Sequence, residues 1–376
     1  MPIDADELRQ AILACKPTDE KRDLAARSLE ELTEQYDSLR RYERAALALL
    51  PPAGWDWQNC SPTLLGVRRD AVPLWRFLRK VVSRAPYPPH PGRTRKYWVM
   101  DRGAVVGIVE LADGTLVNAA RERWVGWNKD ERALRRRYCV DMSTCVAIQP
   151  FGTLTGGKCA AILVATADVE SDWSSQYRMP LAAVITTSLY GKGSQYNRAR
   201  GWEYIGLTQG VAHSHVPAAV KRMVWHFAKQ QKLRGMAQRD AGGTIGQFFT
   251  IVEEVCRNLG VKLPRGALVQ RGTYVAMLHD NARGWLCDGL GELHGTAPTI
   301  GEASAFWQTR WRNMRYAKKA DELAEYDPQQ YRLRTVMDYL QKETKRPPAR
   351  GTLANEGRQC EPDPAAPDIE QAQDVT

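Results

Sequence analysis

The sequence predicts an α/β core carrying a helical arm before it and a helical subdomain after it. Three observations carry this. Leucines and alanines recur at helical spacing through residues 19–50, strand-like runs take over after the proline-rich stretch PYPPHPG at 86–92, and helical spacing returns beyond Pro217. The expected units are an arm at 1–85, an α/β core at 93–216, a helical subdomain with a short strand at 217–346, and a tail at 347–376. The tail is rich in Pro, Glu and Asp with almost no large apolar residues, the composition of a disordered segment.

Taken in order, residues 4–50 read as two helices. Thr18 and Asp19 can cap the second, and Pro51 and Pro52 stop it. The segment AVPLWRFLRKVVSRA, 71–85, places Trp75, Leu78 and Val82 on one helical face and Arg76, Arg79 and Lys80 on the other. In the core, YWVMDRGAVVGIVELADGTLVNA reads as strands with turns at Asp101–Gly103 and at Asp113–Gly114. A short basic helix follows, capped by Asn128 in NKDERALRRRYCVD. CVAIQPF is a further strand, leading through the loop GTLTGGK into the helix CAAILVATADVESDW. The strands LAAVITTSL and EYIGLTQG complete the unit. Beyond Pro217, helices are expected at 218–233, at 244–260 and at 299–320, the last opened by Thr299 and Glu302 at capping-box spacing, with a strand at 271–280 between them.

Composition bounds the function. A hydrophobic fraction of 43% and a charged fraction of 26% suit a folded globular chain. No apolar run approaches the roughly 20 residues that span a bilayer, and the opening MPIDADELRQ lacks the pattern of a secretory signal, so a cytoplasmic protein is expected. The eight cysteines form no C-x-x-C pair and the six histidines show no zinc spacing; although His213 and His215 sit two apart, no metal is expected. Net charge is +10. From Pro347 onward two arginines face six acidic residues, so the rest of the chain carries +14, a balance that favours polyanionic partners such as nucleic acid.

Two loops concentrate polar chemistry. In PFGTLTGGKCAAIL a strand passes through a glycine turn into a helix, the arrangement that offers backbone N–H groups and a helix dipole to an anion; Gly156, Gly157 and Lys158 are the candidate cofactor-binding residues. The spacing is not that of a Walker A loop. In TTSLYGKGSQYNR, 186–198, the cations Lys192 and Arg198 alternate with Tyr190 and Tyr196 and with the donors Ser188, Ser194, Gln195 and Asn197. Cations interleaved with aromatic rings suit a phosphate backbone and an unstacked base. Packing roles for Tyr196 and Trp202, and a turn-capping role for Asn197, are the competing readings. Cys159 reads as a core-facing small residue, and the adjacent Glu253 and Glu254 as surface.

The segments WVGWNKDER, IQPFGTLTGGK, TTSLYGKGSQYNR, GWEYIGLTQG with HSHVP, and FWQTRWRNMR follow one another in an order that resembles the DruA family of Druantia anti-phage defence systems, over roughly residues 95–318. The same segments are more distantly similar to the GNAT acyltransferases. That likeness implies a GNAT-like mixed sheet, a coenzyme A pyrophosphate or nucleotide phosphate over Gly156–Lys158, and Tyr196 near the place of a general-acid tyrosine. Lys158 stands where that family's glycine-loop pattern ends in Gly or Ala. Three functions follow from the resemblances: a nucleic-acid-binding defence component using the Ser188–Arg198 loop, a group-transfer enzyme acting on nucleic acid, or a non-catalytic subunit docking other defence proteins through residues such as Trp307, Arg310 and Trp311.

Overall fold

A computed structural model describes residues 3–15, 19–85, 87, 90, 92–188, 195–214, 216, 218–233, 245–262, 268–295 and 297–345. The tail at 347–376 lies outside the described residues. The N-terminal helices are α1 (Ala5–Leu13), α2 (Asp19–Glu34) and α3 (Tyr36–Leu47). The expected single helix over 19–50 is thus interrupted at Gln35. Strand β1 (Thr63–Gly66) and helix α4 (Val72–Val82) follow, then the hairpin β2 (Thr94–Asp101) and β3 (Ala104–Asp113). Arg102 and Gly103 both take positive φ at its turn, as a tight two-residue connection requires.

The expected strand TLVNA is not formed. Asn118 instead accepts the Arg121 N–H and caps α5 (Ala119–Val125), leaving Leu116 and Val117 exposed in the preceding loop. Asn128 and Glu131 close a reciprocal capping box at the start of α6 (Lys129–Arg135). Strand β4 (Cys139–Ala147) leads through the glycine turn into α7 (Gly156–Val164), which is followed by a separate α8 (Ala167–Tyr177). Next come β5 (Ala183–Thr187), β6 (Trp202–Ser214), α9 (Ala218–Gln230), α10 (Ile245–Asn258) and β7 (Leu268–Met277). The remaining helices are α11 (Ala282–Asp288), α12 (Ile300–Trp307), α13 (Asn313–Ala324) and α14 (Leu333–Lys345). The predicted capping box of Thr299 with Glu302 opens α12. Helix α14, unmarked in the sequence reading, lies along α2, and the Leu333 N–H donates to Glu43.

Among the described residues the strands form one mixed sheet of seven, in the order β1-β2-β3-β4-β5-β7-β6. β4 and β5 run parallel while the other neighbours are antiparallel. The parallel pairing covers Cys139–Asp141 against Ala183–Ile185 and then stops, although both strands continue. β7 comes from late in the chain yet sits between β5 and β6.

One face of the sheet holds the main core, which centres on Trp75, Phe77, Ile108, Phe151, Leu163, Trp173 and Trp307 and draws in α2–α4, α7, α8 and α12. The other face is covered by α5 and α11 through Trp124, Trp127, Ile185, Val275 and Leu286. A third, smaller cluster joins α1 to α9 and α10 through Leu8, Ile12, Val224, Phe227, Val252 and Val255. No helix among the described residues is long and apolar enough to cross a membrane.

Candidate functional site

The glycine turn and the polar loop meet where β4 and β5 part. Phe151 and Leu154 anchor the turn in the core, and Thr155 adopts φ +61° at the start of α7. A Cβ on Gly156 would fall on the Phe151 ring and 2.5 Å from its carbonyl oxygen, so only glycine fits there. A Cβ on Gly157 would instead meet Oε1 of Gln195, which belongs to the second loop.

Lys158 fastens the two loops. Its ammonium donates to the carbonyl of Gln195 at 2.8 Å and to that of Asn197, and lies 5.3 Å from the centre of the Trp311 ring. Partial burial, with the charge of Arg198 adding to it, lowers its pKa from the ordinary 10.5 to about 8. Gln195 reaches into the opening between the parallel strands, where its amide donates to the Cys145 carbonyl at 3.3 Å and to the Tyr196 hydroxyl at 3.2 Å. Lower in the same opening, the Thr186 hydroxyl donates to the Met142 carbonyl at 3.1 Å. Side chains therefore stitch the gap that backbone pairing leaves.

The Tyr196 ring is buried between Trp202 and Tyr274, at centroid distances of 5.3 and 5.4 Å. Burial raises the pKa of its hydroxyl. Trp202 donates to the Ala161 carbonyl of α7, and Tyr274 on β7 donates to Oδ1 of Asn197. Ser188 is buried, and it extends the β5–β7 pairing: its N–H donates to the Gly272 carbonyl and its Oγ accepts the Gly272 N–H. Arg198, at φ +57°, is exposed. The structure thus gathers Gly156, Gly157, Lys158, Gln195, Tyr196, Asn197 and Arg198 at one place and leaves Ser188 in the sheet. Lys192 and Ser194 lie outside the described residues, as does His215. Among the described residues, no three His, Cys, Asp or Glu side chains are grouped as a metal would need. Cys159 is buried, and desolvation holds its thiol well above its usual pKa.

These positions do not fit a coenzyme pyrophosphate as they stand. Gln195 covers the open side of Gly157, and Lys158 spends its ammonium on loop carbonyls rather than presenting it outward. A phosphate approaching the start of α7 would have to displace both.

What the sequence reading missed is the wall beside the site. Helix α12 runs over the glycine turn: Trp307 packs on Phe151 at 5.5 Å and donates to Oγ1 of Thr155. A π-helical turn at Gln308–Arg312 continues it into α13. Arg200, just past the polar loop, lies 5.3 Å from the Phe306 ring centre. The alternation of Trp and Arg in FWQTRWRNMR was the one available sign, and it does not say which loop such a helix covers.

The family model described as Druantia protein DruA matches residues 27–288, more than half of the chain, from α2 to the end of α11. The chain belongs to the DruA family. A protein of Escherichia coli (strain UMEA 4076-1) described as Druantia protein DruA is 31% identical over 145 residues, which are 34% of this chain and 36% of that relative. The alignment thus spans about a third of the relative's length.

Proposed function

We propose that this DruA-family protein is a nucleic-acid-contacting component of its defence system, acting through the basic surface around the interlocked loops. The observation that carries this reading is the pairing of a +14 excess outside the tail with exposed Arg198 and Arg200 directly beside the Lys158 fastening. A polyanion is the partner that a field of this sign attracts, and each phosphate neutralised releases condensed counterions. The test is fluorescence anisotropy with labelled single- and double-stranded oligonucleotides over a range of salt. Binding should weaken linearly on a log–log plot, and Arg198→Gln should lower that slope by about 0.7–0.9. A chain that binds none of the oligonucleotides at low salt sinks the reading.

A group-transfer enzyme is the second reading, favoured by the mixed sheet and the glycine turn leading from β4 into α7. These are the features that the acyltransferase likeness implies for the fold. Calorimetry with acetyl-coenzyme A tests it, and Gln195→Ala, which uncovers Gly157, is the variant in which binding should be strongest. Docking of other defence proteins is the third, to be checked by co-purification from cells carrying the whole gene cluster.

A further inference from the structure

The junction of α12 and α13 contains a helical irregularity, and the two rings it brings together pack against the edge of the main core. In a regular α-helix, residues five apart point about 140° away from each other. Phe306 and Trp311 are five apart, yet their rings meet edge to face with centroids 5.5 Å apart. The π-helical turn at Gln308–Arg312 accounts for this, because its wider winding brings such residues onto one side. Turns of this kind are rare and recur at functional sites.

Both rings are only half-buried, and cations surround them. Lys158 lies 5.3 Å from Trp311, Arg310 5.9 Å from Trp311, and Arg200 5.3 Å from Phe306. Arg200 and Arg310 are exposed. The carboxylate near this group, Glu302, is occupied in capping α12, where the Thr299 N–H and hydroxyl lower its pKa. Two aromatic rings held on one side of a helix, with the exposed guanidiniums of Arg200 and Arg310 beside them, offer stacking surface and phosphate contacts together, which is the combination that binds unpaired strands.

We propose that Phe306 and Trp311, with the exposed Arg200 and Arg310 beside them, form a stacking platform for single-stranded nucleic acid. The inference rests on the nucleic-acid reading above, and it names a surface and a strand state which that reading leaves open. Duplex has its bases stacked on one another and gains little from the platform, so single strands are preferred.

The first measurement uses the unaltered full-length chain. Single-stranded DNA and RNA oligonucleotides carrying 5-iodouracil are photocrosslinked, and the attachment sites are mapped by peptide mass spectrometry. Attachment at Phe306 or Trp311 is expected. Attachment confined to other peptides overturns the platform but leaves nucleic-acid binding standing, whereas failure to bind any oligonucleotide overturns both. The second measurement compares Trp311→Leu with the unaltered chain on an intact oligonucleotide and on one made abasic at successive positions. Loss of stacking should weaken the intact strand about tenfold and leave the abasic strand nearly unchanged. Equal weakening of both means that Trp311 only supports the fold, and overturns the proposal. Preference for duplex over single strands overturns it as well.

Discussion

At the end of β4 that enters the glycine turn, polar groups satisfy one another across two loops: Lys158 on the carbonyls of Gln195 and Asn197, Gln195 on Cys145 and Tyr196, Tyr274 on Asn197. At the end where β4 begins, Arg121 is buried and Asp141 is half-buried with a buried carboxylate oxygen, and neither is fully served. Arg121 donates from Nη2 to the Thr115 carbonyl and nears Glu122, but among the described residues its Nε and Nη1 find no hydrogen-bond partner; Asp141 accepts the Thr115 N–H on one oxygen and, among the same residues, nothing on the other. Burial holds the Asp141 carboxyl above the usual range, against the opposing Thr115 hydrogen bond and the charge of Arg121. The contrast teaches that a crowd of donors in the sequence marks a place where loops are tied together as readily as a place where they face a ligand. Charge that is buried and incompletely paired announces itself only in three dimensions.

The largest expected effect tests the poorly served end. Arg121→Met removes the cation that offsets a buried carboxylate and should destabilise the fold by ~3–5 kcal/mol at pH 7 in denaturant unfolding. Because the folded-state pKa of Asp141 lies above its unfolded value, the folded chain takes up its proton more readily; the variant's stability should therefore recover as pH falls through that raised value and decline as pH rises. Adding Asp141→Asn should restore part of the loss. A single variant as stable as the parent chain would mean that the two ends of β4 do not differ.

Next in size is the glycine pair. Gly156→Ala drives a methyl group onto the Phe151 ring and carbonyl and should cost about 1–3 kcal/mol. Gly157→Ala meets only the movable end of Gln195, so its cost should be clearly smaller and should appear as altered loop contacts. Thermal unfolding of the two variants side by side decides this. Gln195→Ala comes third, removing two hydrogen bonds for about 1 kcal/mol in denaturant melts, since much of each bond is replaced by water. A pH series sharpens the Lys158 fastening. Its folded-state pKa is below the unfolded one, so the unfolded chain holds more protons in between, and stability relative to Lys158→Gln should rise from about pH 8 towards 10.5. A flat difference would show that Lys158 titrates as an ordinary surface lysine.

Much of the secondary structure was legible because its signals are local. The caps at Asn128 and Thr299 and the hairpin at Arg102–Gly103 each depend on a few adjacent residues. TLVNA does not form a strand because the Asn118 side chain starts a helix with Arg121 buried behind it, and this outweighs the β preference of Thr115 and Val117. The neighbourhood of the two loops was legible too, through the order of strand, turn and helix. The inward turn of Gln195 and Lys158 was not, since it depends on a gap between β4 and β5 that no local pattern encodes. Nor did any pattern show that α12 crosses the glycine turn, a contact between residues 155 and 307.

The placement of β7 bears on how the chain is made. β6 is finished by residue 214, but the strand it pairs with begins only at Leu268, and β5 waits for the same partner. A nascent chain emerging from the ribosome therefore carries two unzipped edges for the time taken to add more than fifty residues. Such edges are where growing polypeptides associate wrongly. A chain that ends before Met277 should accumulate with chaperones or as inclusion bodies, while one ending just after α11 has the means to zip the sheet shut.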